Sequence, residues 1–182
     1  MNQLPQQRVG NEILVGLLLA MLALAVSAEA QPRKWRQANE KELRALIPAR
    51  ATVEAERIET EMRTASGVTD GAGKFIAGVV MITAGYSAEG KYSHFLITHV
   101  PVKIGDVELR PGEYVFGKKR IDADSLEISF YEAASGKAIG SVKAVLDQKR
   151  GPVYSLLITP GGNGSPPAIK VGRFSVEYSV AK

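Results

Sequence analysis

Beyond residue 57 the chain alternates between apolar and polar positions. In residues 57–64, Ile58 and every second residue after it fall on one side of an extended segment, and charged residues fall on the other. A period of two residues is typical of a β-strand with one buried face. The spacing of Ala51, Ala55, Ile58 and Met62 also fits one face of a helix, so both interpretations stay open for residues 51–65.

The apolar run of residues 75–84 (FIAGVVMITA) has a different pattern. It contains no charged residue and is rich in β-branched side chains. A short continuous apolar run of this kind is typical of a strand that is covered on both faces. We therefore predict that these residues form the central buried strand of a sheet.

Turn sequences separate the remaining apolar segments. Gly105-Asp106 lies between two short alternating segments, and glycine at the first loop position favours a type II′ hairpin. Pro111-Gly112 fits a type II turn, in which glycine takes the positive φ. Further strands are predicted around residues 92–102, 126–130, 139–145, 154–158, 169–171 and 174–180. Short strands without intervening helices predict a mainly β fold: a single antiparallel β-sandwich or barrel-like domain over residues 57–182.

Residues 31–56 form a charged N-terminal arm with one predicted helix. Asn39 is a suitable N-cap, and Glu42 stands three residues later, where a capping box needs it. Leu43, Leu46 and Ile47 supply a short apolar stripe. Pro48 ends the helix, because proline cannot continue the hydrogen-bond pattern.

Residues 1–30 are typical of a cleavable signal peptide. The apolar core of residues 13–26 has fourteen residues, which span about 21 Å as a helix and are too short for a bilayer core of about 30 Å. Ala28 and Ala30 form the small-residue pattern that signal peptidase requires, so we predict cleavage before Gln31. Glu12 weakens the positive charge before the core, so an uncleaved membrane anchor is the alternative.

Composition narrows the function classes. Removing 30 of the 182 residues leaves 152, which is enough for one hydrophobic core. The chain has no cysteine, which excludes disulfide bonds and thiol catalysis. The formal net charge of +4 is modest for this length and does not favour a nucleic-acid partner.

A search for catalytic motifs finds no recognisable set. The two histidines, His94 and His99, are five residues apart, so on one strand they would point to opposite faces. Without cysteine, they do not predict a metal site. The glycines near Lys74 lack the spacing of a phosphate loop, and no serine lies in a nucleophile elbow. We therefore expect no catalytic residues, no metal and no cofactor.

Basic and aromatic residues are the candidates for binding. Lys118, Lys119 and Arg120 form a basic cluster, expected in a turn, that would attract an anionic envelope polymer or lipid. Such a run more often keeps a sheet edge unpaired. The tyrosines are candidates for a carbohydrate-binding face, although most are expected to be half-buried strand residues. The predicted binding residues are Tyr92, His94, Tyr114, Lys118, Lys119 and Arg120.

Residues 102–116 (VKIGDVELRPGEYVF) contain Leu109, Pro111, Gly112 and Tyr114 around a tight turn. This stretch resembles small exported bacterial β-sandwich domains of unknown function that carry a Leu-Pro-x-Gly-x-Tyr element, here with Arg110 inserted after the leucine. The resemblance implies a β-sandwich architecture and an exported protein. It implies no catalytic residues.

These observations predict a non-catalytic binding or accessory module that is periplasmic or secreted. Its partner would belong to the envelope or the extracellular space, such as carbohydrate or an anionic polymer. Contact with the membrane is expected only through an uncleaved N-terminal segment. Two alternatives stay open: a hydrolase with scattered site residues around His94 or His99, and a purely structural envelope protein.

Overall fold

The computed structural model describes residues 34–83, 91–148, 151–162 and 164–180. The predicted signal peptide and its cleavage site at Ala28, Ala30 and Gln31 lie outside the described residues. From Lys34 onward the described chain forms one compact unit. Its elements are β1 (Arg36–Gln37), α1 (Glu40–Leu46), β2 (Arg50–Val53), β3 (Glu56–Thr69), β4 (Phe75–Met81), β5 (His94–Thr98), β6 (Val102–Ile104), β7 (Val107–Leu109), β8 (Gly112–Arg120), β9 (Ser125–Glu132), β10 (Ala138–Leu146), β11 (Tyr154–Thr159), β12 (Ala168–Gly172) and β13 (Phe174–Val180).

The strands form one antiparallel sheet that is nearly closed into a barrel. The main order is β1-β3-β4-β5-β8-β9-β10-β13-β12-β11. The β6–β7 hairpin pairs with the end of β13, and β2 pairs with the start of β3. The prediction of a mainly β, antiparallel, barrel-like domain is confirmed.

Two apolar clusters hold the sheet together. The inner cluster draws residues from strands all around the barrel, including Phe116, Phe130 and Ile158. The outer cluster lies on the other face of β4, β5 and β8, under α1 and β2, and includes Val79 and Phe95. Side chains of a strand alternate between its faces, so β4 contributes to both clusters. This explains the continuous apolar run there. The strand ends at Met81, and the predicted end at Ala84 lies outside the described residues.

The N-terminal helix forms where its capping sequence predicts. Asn39 caps α1, its side chain accepts the N–H of Glu42, and the Glu42 carboxylate accepts the N–H of Asn39. A bidentate ion pair with Arg36 lowers the pKa of Glu42 to about 2. Leu43 is buried in the outer cluster. The arm therefore packs as part of the compact unit.

Residues 51–53 and 56–65 are strand, joined by a turn at Glu54 and Ala55, which decides between the two sequence interpretations. The β3–β4 register shifts between Glu61 and Ser66. Within this irregular stretch the Thr64 hydroxyl donates to the carbonyl of Glu61 and accepts the N–H of Val80. One side-chain hydroxyl therefore replaces backbone pairing that the shift removes.

The two predicted turns have different outcomes. Gly105 has φ 54° between β6 and β7, as a type II′ hairpin requires, and this prediction is confirmed. The prediction of a type II turn at Pro111-Gly112 is wrong, since Gly112 lacks a positive φ. The reason is that Gly112 already belongs to β8, where it pairs with Thr98 of β5 in extended conformation.

Side chains close the barrel between β3 and β11. Ser66 accepts the backbone N–H of Ile158, and the amide of Gln37 donates to the carbonyl of Ile158. β1 occupies this end of the seam by pairing with the last residues of β3. Farther along, the two strand edges separate and leave a groove on the surface.

Candidate functional site

Residues 153–155, at the start of β11, stand between two pockets. The first, of about 700 Å³, is the open part of the seam between α1, the irregular stretch of β3 and β11. The second, of about 490 Å³, lies on the other side, where β5 begins and β8 ends, beside Gly172. Both pockets are lined by Val153, Tyr154 and Ser155. Val153 is 56% exposed and Tyr154 is 43% exposed, so this ridge presents apolar surface to solvent.

His94 forms part of the wall of the second pocket. Its imidazole stacks on Phe116, the residue opposite it on β8, with ring centroids 4.5 Å apart and an angle of 9° between the planes. Nδ1 lies 2.7 Å from the hydroxyl of Ser93, and Nε2 lies 3.4 Å from the carbonyl of Ser155. A carbonyl only accepts, which favours the tautomer with the proton on Nε2 and Ser93 donating to Nδ1.

Burial holds this histidine in its neutral form. His94 is 2% exposed, and desolvation together with the nearby charge of Lys118 lowers its pKa to about 3. Such a weak base does not accept a proton readily near neutral pH. The imidazole thus serves as a rigid, uncharged wall of the pocket.

Lys118 is the charged residue of the second pocket. It follows Phe116 by two residues, so its side chain extends from the same face of β8. Among the described residues it has no hydrogen-bond or ion-pair partner. The side chain of Lys118 is exposed to solvent. Neighbouring protein nevertheless displaces part of the water around its ammonium group, and this desolvation lowers the pKa of that group.

The other two members of the basic cluster lie elsewhere. The cluster is the end of β8 and not a turn, because Arg120 still pairs with Leu126 of β9. Lys119 points to the opposite face from Lys118. The guanidinium of Arg120 lies 4.9 Å from the ring centre of Phe174 and donates to the carbonyls of Asp122 and Ala123. The structure therefore brings Lys118 and His94 together but separates Lys119 and Arg120 from them.

Tyr92 and Tyr114 lie in different apolar clusters. Tyr92 is 2% exposed in the outer cluster, and its hydroxyl donates to Glu54. Tyr114 is 7% exposed in the inner cluster, and its hydroxyl donates to the carbonyl of Arg110. Neither residue presents an aromatic face to solvent, and the structure does not bring them together.

His99 contacts a different set of residues from His94. It lies just after β5, where its ring meets Phe75 edge-on and Nδ1 lies 3.2 Å from the carbonyl of Gly73. Within the part of the chain that the structure describes, no group of three or more His, Asp or Glu side chains is arranged to hold a metal ion. In the same residues no helix is long and apolar enough to cross a bilayer.

Sequence reasoning missed the ridge itself. Tyr154 was recognisable only as one of six tyrosines, and Val153, Ser155 and Gly172 carry no chemical signal. These residues lie near Lys118 because β11, the last strand in the sheet order, runs along the open part of the seam. No protein family, curated protein or solved structure matches this chain significantly.

Proposed function

We propose that this protein is a non-catalytic binding module of the cell envelope or extracellular space, and that residues 153–155 with their flanking pockets form its binding surface. The observation that carries this proposal is the exposure of Val153 and Tyr154 between two concave regions, one of which holds the unpaired cation Lys118. Exposed apolar side chains beside a pocket are typical of sites that bind a partner.

The chemistry around His94 supports a binding role over a hydrolase that uses this residue. His94 is held neutral by burial, and both of its ring nitrogens already lie near protein partners. A general base of a hydrolase needs a free nitrogen within hydrogen-bond distance of the attacking group. The imidazole of His94 does not meet this requirement.

The location of the protein rests on the N-terminal sequence. We expect export, followed by cleavage between Ala30 and Gln31. Intact-mass measurement of the protein from its host tests this, with a mature chain beginning at Gln31 as the expected result. Recovery of the full-length chain in the membrane fraction would replace the signal peptide with an anchor.

Complementation of a deletion strain tests the binding surface. The double variant Val153→Asp/Tyr154→Asp should lose function, because two charges would disrupt an apolar contact with the partner. Ile139→Asp is the matched control, since Ile139 is 39% exposed and lines none of these pockets. All variants must fold, as judged by circular dichroism and thermal melting.

The same strain tests the alternatives. Folded His94→Gln and His99→Gln variants should retain function. If either loses function while its stability is normal, the hydrolase interpretation replaces the binding module. If the double variant at residues 153 and 154 retains full function, the proposed binding surface is wrong and a purely structural role gains support.

A further inference from the structure

We infer that the pocket between Lys118 and Tyr154 binds an acidic sugar residue of a polysaccharide, with Lys118 holding the carboxylate and Tyr154 the face of the sugar ring. This inference rests on the proposed function and names the ligand class for its binding surface. Three observations support it: the charge of the pocket, the position of the tyrosine and the lack of an arginine or a second cation among the lining residues.

Charge complementarity points to an anion. Lys118 is the charged residue in the lining of this pocket at neutral pH, since His94, the other lining residue with a basic side chain, is held neutral. By contrast, most of the cations that line the neighbouring pockets are already paired: Arg44 with Glu40, Arg63 with Glu61 and Lys170 with Asp147. Arg173 is the exception, and it lines the pocket that adjoins this one at Val153, Tyr154 and Gly172. A partly desolvated ammonium group without a carboxylate partner gains most from an anion brought by a ligand.

Tyr154 supplies a surface that suits a sugar. Its side chain is 43% exposed and belongs to the same lining as Lys118. A sugar ring presents C–H groups on its faces and hydroxyls at its edge. An exposed aromatic ring accommodates such a face, while its own hydroxyl stays near water. Ser93, Ser155 and Gly172 also line this pocket.

A carboxylate fits the pocket better than a phosphate. Phosphate groups are bound by arginine forks, clusters of cations or several backbone N–H groups of a loop or helix. No arginine is among the residues described as lining this pocket, and it offers one cation. One ammonium group matches the single carboxylate that each acidic sugar of a uronic-acid polymer carries.

The inference is tested by titrating the purified protein with an oligogalacturonate. The protein is used in the form that its host accumulates. We expect saturable binding, weakened about tenfold or more by Lys118→Gln, the loss expected for an interaction with a charged group. Tyr154→Ala should also weaken binding, because it removes the ring that contacts the face of the sugar. Lys119→Gln is the matched control: it removes the same charge from the next residue, which points to the other face. It should change the affinity less than about twofold. Dextran should not bind, since it has the sugar ring without the carboxylate.

Several results would overturn the inference. Equal losses in Lys118→Gln and Lys119→Gln would indicate attraction by overall charge. Binding to phosphatidylglycerol vesicles with no binding to the oligogalacturonate would indicate a lipid headgroup. If neither ligand binds while the double variant at residues 153 and 154 loses function in the host, the sugar site is wrong and the proposed binding module stands. If that double variant keeps function, the proposed function fails as well.

Discussion

The hydroxyl of Ser66 on β3 accepts the backbone N–H of Ile158 on β11 at 2.9 Å. These residues are 92 positions apart, and their bond joins the two ends of the sheet where no backbone ladder connects them. The amide of Gln37 completes the junction by donating to the Ile158 carbonyl at 3.1 Å. The barrel is therefore closed at this end by side chains, and the groove beside residues 153–155 begins where these bonds stop.

Replacing Ser66 with alanine should destabilise the barrel. The variant would leave the buried N–H of Ile158 without an acceptor, which costs about 1–3 kcal/mol. The free energy of unfolding in urea measures this loss. Ser141→Ala is the control, because the Ser141 hydroxyl makes an exposed bond with Ser129 and should matter by less than about 0.5 kcal/mol. Equal stability of Ser66→Ala and the wild type would show that the seam does not depend on this bond.

Gly78→Ala should also weaken the fold. A Cβ atom on Gly78 would lie 2.9 Å from the carbonyl oxygen of Phe95 and 3.1 Å from Cδ2 of Leu156, so β11 and β5 would have to move. Overpacking of this kind costs about 1–3 kcal/mol. Gly151→Ala has no heavy atom within 4 Å of the added carbon and should be nearly neutral. Thermal melting of both variants makes the comparison, and similar melting temperatures would contradict the packing argument.

His94 should make stability depend on pH below neutrality. Its pKa is about 3 in the folded state, whereas an unfolded histidine has a pKa of about 6.5. Between these values the unfolded chain binds the extra proton, so the free energy of unfolding falls as the pH is lowered. The part due to His94 is about 2 kcal/mol from pH 7 to pH 5.

Urea unfolding at pH 7 and pH 5 checks this dependence. His94→Gln should lack the loss of about 2 kcal/mol, even if its stability at pH 7 is lower. His99→Gln removes the other imidazole and should retain the loss. Lys118 lowers the pKa of His94 less than burial does, so Lys118→Gln should leave His94 unprotonated in the folded state at pH 5 and should retain most of the loss. An unchanged decline in His94→Gln would refute the assignment.

Tyr92→Phe should lower stability by about 1 kcal/mol. The Tyr92 hydroxyl donates to Oε1 of Glu54 at 2.6 Å, and Glu54 holds the only positive φ, 53°, among the described residues other than glycine. Tyr131→Phe is the matched control, because Tyr131 packs edge-on against Tyr92 in the same cluster and the structure gives its hydroxyl no bond among the described residues. Urea denaturation should separate the two variants. Equal losses would show that the bond from Tyr92 to Glu54 contributes no more than the loss of a hydroxyl without a bond.

The elements that sequence patterns predict correctly depend on near neighbours. Asn39 and Glu42 cap α1 through bonds across three residues, and Gly105 forms a hairpin with the residues on either side. The turn at Pro111-Gly112 was mispredicted because pairing with Thr98, more than ten residues away, holds Gly112 in an extended conformation. A tertiary contact overrode the local preference.

The mainly β character, the doubly covered strand β4 and the capped helix follow from local sequence, because alternation, turn chemistry and capping act within a few residues. Only the tertiary structure decided that the sheet closes through Ser66 and Ile158, that His94 is buried and neutral, and that Lys118, unlike Lys119, lines a pocket with Tyr154. Each of these depends on strands far apart in the chain. Their proximity is set by barrel closure, which no short stretch of sequence encodes.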